Sequence, residues 1–377
     1  MSVLHKVSSL EKFSEVPSSE VEQELAGLLT DSAGGARLEH VSATVAKRLQ
    51  EVVKRASASF EGRSLEVEAA VAGLASGVSV LLLGPPGTAK SAIARRVASL
   101  CGLGGDGRYF EYLLTNHTMP EEIFGGPKLD DLVKGKVVRA VEGKLPRAEI
   151  AFLDELFRGG GHILNTLLTI LNEKKFDAGS GLEHVPLLGV IAAANAAPLE
   201  HDLEAIFDRF PVRVWLQSVL EPRTKFEQAD KGAPARLANF AVAGEVTRLA
   251  SAWNSSTAAT LRRAEQVACT NDFRFARSFL LRQVGGNAEG SARFEQFERL
   301  FRSVRERCKL SDRSLGFLWL FGAALDYIRG KDLRQQYPDS DGHVIAFRYV
   351  ARSLHDVPFL RDRVEQQKRG VQHIGTA

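Results

Sequence analysis

Apolar residues near the start of the chain recur at the spacing of an amphipathic helix. Between residues 38 and 52 they are separated by three or four positions, which places them on one face of a helix. A second helical pattern covers 65–74 and ends near Gly77. Two consecutive helices are therefore predicted. The apolar positions of the first are Leu38, Val41, Val45, Leu49 and Val52.

Three short apolar runs follow, at 78–83, 150–153 and 187–194, and a further strand is predicted at 212–216. The first is stopped by Gly84, and uninterrupted apolar runs of this length are typical of buried parallel strands. Helical sequence lies before or after the runs, as crossover connections between parallel strands require. We therefore predict an α/β fold in which helices cover a parallel sheet.

The pattern changes after about residue 217. Residues 218–377 show helical periodicity and few strand-like runs, so we predict an all-α second domain there. The first 35 residues are polar, and we predict that they form a weakly ordered leader. The predicted division is a leader at 1–35, an α/β core at 36–217 and a helical domain at 218–377.

A glycine-containing loop joins the first predicted strand to the next helix. Phosphate oxygens need several converging backbone N–H donors and a cation, and glycine lets the backbone curl around them. The helix that begins near Lys90 would direct its N–H groups and the positive end of its dipole at such an anion. Lys90 would reach the β- and γ-phosphates, and the Ser91 hydroxyl would ligate Mg²⁺. The predicted phosphate loop consists of Gly84, Pro85, Pro86, Gly87, Thr88, Ala89, Lys90 and Ser91.

One position of this loop departs from the usual pattern. Ala89 stands where such loops have their second glycine, and its methyl group is expected to crowd the loop slightly. The simpler alternative is a glycine–proline turn before an ordinary helix. That alternative does not explain why a lysine–serine pair lies in register between a strand and a helix.

Two carboxylates and an amide follow the later strands. Asp154 and Glu155 come directly after the run at 150–153. Asp154 could hold Mg²⁺ through water, and Glu155 could orient or deprotonate an attacking water. Asn195 ends the next run, where its amide could touch both the γ-phosphate and that water. The simpler alternatives are a surface acidic pair and an asparagine turn.

Three arginines are candidates for contact with a transferred phosphoryl group. Arg209 precedes the last predicted strand and would lie on the flank of its own domain, where it could serve a neighbouring subunit. Arg213 is the rival for that role, and a surface salt bridge is the simpler interpretation of both. Arg313 follows Ser311 and Asp312, either of which could cap a helix, and it could reach the γ-phosphate from the helical domain.

Composition narrows the class of protein only modestly. The 377 residues are 44% hydrophobic and 25% charged, and the net charge of +3 is too balanced to predict a nucleic-acid or membrane partner. Three cysteines without a C-x-x-C pair argue against a disulfide framework or a zinc site. Because no apolar run reaches about 18 residues and no signal-peptide pattern opens the chain, we expect a cytoplasmic protein without a membrane span.

The ordered set of phosphate loop, acidic pair, asparagine and arginines resembles the AAA+ ATPases. Flanking segments narrow the resemblance to the MoxR family, especially its RavA branch. The likeness is specific from about residue 40 to 215 and weaker from 216 to about 367. It implies a P-loop αβα core followed by a helical lid, which binds ATP or ADP with Mg²⁺ and hydrolyses ATP to ADP and phosphate. The flanking segments are 110–114, 120–125, 145–149 and 163–173.

The resemblance also implies an assembly. MoxR proteins form rings, usually hexamers, with ATP at the subunit interfaces, and typically act as chaperones with a von Willebrand factor A (VWA) domain partner. The resemblance implies an insertion within 124–146 and a hairpin near 177–181, both facing the pore or upper surface of the ring, and it places 60–63 near the adenine. The chain stops at residue 377 without the long C-terminal extension of the RavA branch, so a partner bound by that extension is not expected.

We therefore predict a ring ATPase that remodels or activates a protein partner. A nucleotide-gated assembly scaffold would share every motif, and its turnover would be slow and insensitive to the partner. A nucleic-acid motor would need a basic pore or groove and salt-dependent binding. The basic residues at 128, 134, 136 and 139 are instead interleaved with the acidic pair at 130 and 131, which argues against that second alternative.

Overall fold

The computed structural model describes residues 9–17, 19–21, 35–60, 62–103, 107–179, 181–198, 203–217, 266–285, 292–330, 345–351 and 356–360, with a few isolated positions besides. Much of the predicted leader and the first part of the predicted helical domain, 218–265, lie outside the described residues. The strands are β1 (Val80–Leu83), β2 (Tyr109–Leu113), β3 (Ile150–Asp154), β4 (Lys175–Asp177), β5 (Leu182–His184), β6 (Gly189–Ala194) and β7 (Val212–Trp215).

A five-stranded parallel sheet lies at the centre of the fold, in the order β2-β3-β6-β1-β7. Every residue of β1 and β6 is buried, which explains their uninterrupted apolar sequence. Successive residues of β1 point to opposite faces, so Leu82 enters one hydrophobic cluster while Leu81 and Leu83 enter another. The predicted α/β fold with a parallel sheet is confirmed.

Helices cover both faces of this sheet. The two helices predicted at the start of the chain are present as α2 and α3, and α3 ends at Gly77, whose left-handed φ of 71° closes the helix. Among the described helices, none combines the length and the apolar character that a membrane span requires. The helices are α1 (Leu10–Ser14), α2 (Gly35–Ala58), α3 (Ser64–Ser76), α4 (Lys90–Leu100), α5 (Pro120–Phe124), α6 (Leu129–Leu132), α7 (Gly161–Glu173), α8 (Glu204–Asp208), α9 (Thr270–Gly285), α10 (Ala292–Cys308) and α11 (Asp312–Ile328).

The described helices beyond residue 266 share a core with the α/β layer. α9 and α11 pack against α2 and α3, and one hydrophobic cluster includes Leu49, Leu74 and Phe321. Arg329, just after α11, makes two 2.7 Å hydrogen bonds to Glu68 of α3. The described helices beyond residue 266 thus bury apolar residues together with α2 and α3, and the domain boundary near 217 stays a prediction.

Part of the predicted leader is packed rather than weakly ordered. Val16 and Val21 are buried, and Nδ2 of Asn271 in α9 donates a 2.8 Å hydrogen bond to the backbone oxygen of Val16. Two apolar residues of this polar segment are therefore buried, and Val16 is held to the helical region through Asn271. Residues 24–34 of the leader lie outside the described residues.

The hairpin implied by the family resemblance is present as β4 and β5, which pair antiparallel. The predicted insertion packs on it, since the backbone N–H of Arg139 donates a 2.8 Å hydrogen bond to the oxygen of Ala178. Within the insertion, α6 has no buried residue, and Leu129 and Val133 are 75% and 89% exposed. The hairpin and insertion form one projecting surface, whose place in a ring stays a prediction.

Candidate active site

The carboxyl ends of β1, β3 and β6 bring predicted site residues from three parts of the sequence to one edge of the sheet. β6 lies between β1 and β3, so Asn195 at its end stands between the phosphate loop and the acidic pair. Nζ of Lys90 is 3.4 Å from Oδ1 of Asn195, and Nδ2 of Asn195 donates a 2.5 Å hydrogen bond to Oε1 of Glu155. Lys90, Asn195 and Glu155 therefore form one connected group.

The loop between β1 and α4 directs the start of α4 toward this edge. At Gly84 a Cβ would lie 2.3 Å from the backbone oxygen of Leu216, so the chain can pass there only as glycine. Gly87 has a φ of 78° and faces open space. α4 begins at Lys90, and the first N–H groups of a helix have no acceptor within it. Free N–H donors at the positive end of the helix dipole fit a phosphate group.

Ala89 adopts a left-handed backbone conformation, with a φ of 70°, directly before α4. The expected crowding by its methyl group stays a prediction, and the structure adds that Ala89 holds a backbone conformation that usually favours glycine. A non-glycine residue is disfavoured in this conformation by about 1 kcal/mol. The loop thus keeps a glycine-type geometry with an alanine in place.

The side chain of Lys90 is folded back onto its own loop. Nζ donates hydrogen bonds of 2.7 and 3.0 Å to the backbone oxygens of Gly84 and Pro85, and the residue is only 7% exposed. Burial lowers the pKa of Lys90, and the negative charges of Asp154 and Glu155 oppose that shift. The ammonium group therefore lies near the acidic pair and is hydrogen-bonded to two carbonyl oxygens. Phosphate oxygens could replace these carbonyl oxygens as its acceptors.

The turn after β3 gives the two adjacent carboxylates different partners. Oδ1 of Asp154 accepts a 3.0 Å hydrogen bond from the backbone N–H of Glu155. Glu155 has a left-handed φ of 52°, and its carboxylate binds Asn195 and lies 3.6 Å from Nε of Arg158. Non-glycine residues in this conformation are uncommon and cluster at active sites.

Oxygen ligands suited to Mg²⁺ are available at the same edge. The Ser91 hydroxyl and the Asp154 carboxylate are hard donors of the kind that Mg²⁺ takes together with substrate phosphates. Within the described part of the chain, no group of three or more His, Cys, Asp or Glu side chains could hold a metal ion. The residues present therefore fit a metal ion that is bound jointly with a phosphate rather than by protein ligands alone.

A second group of functional candidates lies where α8, the end of α7 and the start of α11 meet. We call Asn172, Asp208, Arg209 and Arg313 the arginine patch. Nη1 of Arg209 donates a 2.8 Å hydrogen bond to Oδ2 of Asp208, and Nη1 of Arg313 donates a 2.9 Å bond to Oδ1 of Asn172. Burial lowers the pKa of Arg209, and the positive charge of Arg313 lowers it further. The two guanidinium groups are thus close enough to repel each other.

Arg213 is fully buried, so the surface salt bridge considered for it is wrong. Its guanidinium donates to the backbone oxygens of Phe207, Phe210, Cys308 and Val350, and it lies 3.8 Å from the ring centre of Phe207. Arg213 ties the edge strand β7 to the helical region. Its guanidinium is enclosed by its own chain and does not face a neighbouring molecule.

Arg313 lies with Arg209 rather than with the phosphate loop. Its described hydrogen bond joins it to Asn172 at the end of α7, so a contact with a γ-phosphate in its own chain stays a prediction without a supporting contact. The sequence did not single out Asn172 or Arg158 as site residues. The helical run at 163–173 contains other polar residues, such as Asn165 and Thr169, so no particular signal in the sequence marks Asn172.

A cavity of about 430 Å³ lies where Gly62 and Arg63 meet the end of β7, the strand that pairs with β1. Nη2 of Arg63 donates a 2.6 Å hydrogen bond to the backbone oxygen of Gln217, which also lines the cavity. The preceding residue, Leu216, donates from its backbone N–H to the oxygen of Leu83 at 2.7 Å. The volume is in the range of small-molecule pockets, and the cavity adjoins the residues expected near an adenine.

Comparison with known proteins gives a family match over about half of the chain. Residues 47–229 match the sequence model of a family described as the MoxR domain in the MoxR-vWA-beta-propeller ternary systems. Two uncharacterized proteins of Methanocaldococcus jannaschii are each 37% identical over 167 and 166 residues, which is 44% of this chain and 43% of each relative. Structural protein ORF618 of Acidianus two-tailed virus is 29% identical over 185 residues, 48% of this chain and 29% of the viral protein. The chain therefore spans less than half the length of these curated relatives.

A solved structure resembles more of the chain. The crystal structure of a candidate ATPase from Cytophaga hutchinsonii matches with a TM-score of 0.58 and 18% sequence identity. The match covers 88% of this chain and 96% of that one, so it extends beyond 47–229 into the helical region. At this level of identity the likeness shows a shared fold.

Proposed function

We propose that this chain, which carries a MoxR-family AAA+ ATPase domain at residues 47–229, hydrolyses ATP at the edge of its sheet and uses the cycle to remodel or activate a protein partner. The observation that carries the proposal is the connected group of Lys90, Asn195 and Glu155 beside the open start of α4. A cation, an amide and a carboxylate are thereby held at the place where N–H donors favour a phosphate group.

Each residue of this group has a distinct proposed role. Lys90 would exchange its bonds to the loop carbonyls for the β- and γ-phosphates of ATP, and Ser91 and Asp154 would hold Mg²⁺, which neutralises charge on the phosphate oxygens. Glu155 would orient or deprotonate the attacking water. Asn195 would hold the Glu155 carboxylate and touch the γ-phosphate. The cavity lined by Gly62, Arg63 and Gln217 would take the adenine.

The arginine patch is proposed to act on the nucleotide of a neighbouring copy in a ring, which the family resemblance implies is a hexamer. Three observations support this role. Arg209 and Arg313 lie together outside the loop of their own chain, they repel each other, and the rival Arg213 is buried. A guanidinium supplied by another subunit stabilises the charge of the transferred phosphoryl group.

The proposed partner is a protein with a VWA domain. The matched family is described as belonging to ternary systems that contain a vWA component, and this description is the support for the proposal. Assignment to the RavA branch stays a prediction, because the matched family is not described by that name. If a VWA-domain partner leaves a slow turnover unchanged, the nucleotide-gated scaffold becomes the better account.

Two substitutions test the proposed site. Lys90→Ala should abolish ATP binding, because the phosphates lose their cation, while Glu155→Gln should bind ATP and lose hydrolysis. Binding of a fluorescent ATP analogue and release of phosphate would measure the two effects separately. Lys134→Ala, in the exposed insertion, is the matched control and should behave as wild type. Retained turnover in Glu155→Gln would refute the assigned role, and light scattering with and without ATP would test the ring.

A further inference from the structure

Asp208 joins the arginine patch to the helical region through both of its carboxylate oxygens. Oδ2 accepts hydrogen bonds from Nη1 of Arg209 and from Oγ of Ser311, each at 2.8 Å. Oδ1 accepts a 3.2 Å bond from the backbone N–H of Ser311 and a 3.4 Å bond from the hydroxyl of Ser314. One carboxylate thus holds Arg209 and the N-terminus of α11 at the same time.

This contact takes the place of a local cap on α11. Ser311 is the N-cap residue of α11, but its side chain makes no capping bond within the helix, and its hydroxyl donates to Asp208. A negative charge near a helix N-terminus is stabilising, and an oxygen that accepts from its first N–H groups satisfies donors that would otherwise lack a partner. Asp208 therefore supplies from α8 an acceptor for the N–H of the N-cap residue, as the third-position carboxylate of a capping box does from within a helix.

Asp208 is the group that orients Arg209, because the neighbouring Arg313 repels Arg209 and Asp208 attracts it. Arg313 lies in the first turn of α11, where the helix dipole disfavours a positive charge, and it repels Arg209. Among the residues that the structure describes, none offers a hydrogen-bond partner to the buried Nε of Arg209. The described hydrogen bond of the Arg209 side chain is the one to Asp208, so removal of that carboxylate would leave the guanidinium free to turn.

We propose that Asp208 is a positioning residue that aims Arg209 at the phosphates of a neighbouring copy and couples that aim to the helical region. The inference rests on the proposed ring ATPase. It adds that one residue, Asp208, couples the orientation of Arg209 to the position of the helical region. Because Asp208 is bound to the first turn of α11, and Arg313 lies in that same turn, a shift of α11 relative to α8 would move both guanidinium groups together.

Asp208→Asn tests the positioning role. The asparagine keeps the size of the side chain and one acceptor oxygen, but it replaces the charge and places an amide N–H₂ among donors. Turnover should fall by about 10²-fold, the scale of a misplacement of about 1 Å, while ATP affinity should stay within about 2-fold. Glu204→Gln is the matched control, since it neutralises the other α8 carboxylate that contacts the helical region, 2.6 Å from Nζ of Lys309. It should keep wild-type turnover.

Mixed assemblies separate a role at the neighbour's site from a role in the chain's own site. Asp208→Asn subunits keep an intact pocket, and Glu155→Gln subunits keep an intact arginine patch. Co-assembly in equal amounts should restore roughly a quarter of wild-type turnover, because random head-to-tail order places the two intact halves together at that fraction of interfaces. No recovery in assemblies that contain both variants would overturn the proposal, as would wild-type turnover in Asp208→Asn alone.

Ser311→Ala keeps the proposal testable if Asp208→Asn does not fold. This variant leaves the bond between Asp208 and Arg209 and removes the shortest of the three hydrogen bonds that join the carboxylate to the start of α11. Turnover should fall several-fold with unchanged ATP affinity, and unchanged turnover would refute the coupling to the helical region. Failure of the proposed function would be visible separately, as a wild type that does not hydrolyse ATP or a Glu155→Gln variant that still does.

Discussion

The pocket at the sheet edge and the arginine patch differ in how their positive charges are compensated. In the pocket, Lys90 donates to two backbone oxygens and lies near Asp154 and Glu155. In the patch, Arg209 and Arg313 repel each other, and the carboxylate that binds Arg209 is shared with three donors of the helical region. A pocket that holds a cation beside carboxylates can bind a phosphate and its metal ion with groups from its own chain, whereas an excess of positive charge favours an anion brought by another molecule.

The contrast between the two regions is tested most strongly by Arg209→Ala, which has the largest expected effect. If Arg209 serves a neighbouring copy, turnover should fall by about 10³-fold or more, the range found for such arginines in other NTPases. ATP affinity should stay near wild type, because the pocket of the same chain is untouched. Steady-state phosphate release and a binding titration would measure the two quantities.

Arg302→Ala is a suitable control for Arg209→Ala, because Arg302 is 73% exposed and pairs with Glu298 on the same helix. It should change neither quantity. A loss of ATP binding in Arg209→Ala comparable to that of Lys90→Ala would place Arg209 in its own pocket. The contrast between the two regions would then disappear.

Arg213→Met is expected to act on stability rather than on chemistry. The variant removes a buried guanidinium and leaves several backbone oxygens without their donor, which should lower the free energy of unfolding by about 3 kcal/mol. Arg209→Ala should change it by less than about 1 kcal/mol, since its partly exposed pair with Asp208 contributes little net stability. Urea unfolding would compare the two. If Arg213→Met were as stable as wild type but had lost turnover, Arg213 rather than Arg209 would be the better candidate for the arginine that acts on the neighbouring subunit.

The same two regions differ in how far the sequence predicts them. The pocket follows from local pattern, because Asp154 and Asn195 end apolar runs and the carboxyl ends of parallel strands meet at one edge. Arg209 and Arg213 are the same residue type, four positions apart, and only tertiary packing decides that one of them is buried. The contact of Asp208 with Ser311 joins positions 103 residues apart, and no periodicity in the sequence indicates it.

The fold was likewise predictable from local sequence pattern only in part, because the packing between helices is not indicated by that pattern. The apolar runs predicted the strands β1, β3 and β6, since a strand that is buried on both faces favours apolar residues along its length. The strand β7 was also predicted, although it carries the buried Arg213. The packing of α9 and α11 on α2 and α3 was not predicted, because an apolar helical face does not say which surface covers it. For that reason the helical region was expected to form a domain of its own.

The smallest expected effect is that of Ala89→Gly, which tests whether the pocket is strained at the start of α4. Glycine removes the cost of a left-handed alanine but makes the unfolded chain more flexible, so the net gain should be a few tenths of a kcal/mol. Lys309→Gly is the matched control, because Lys309 has a similar φ of 46° outside the pocket. Ala89→Gly should raise the melting temperature slightly, while Lys309→Gly offsets that gain by losing the ion pair with Glu204. Both variants should leave ATP affinity within about 3-fold. A tenfold loss of affinity confined to Ala89→Gly would show instead that the alanine methyl group holds the loop in its binding geometry.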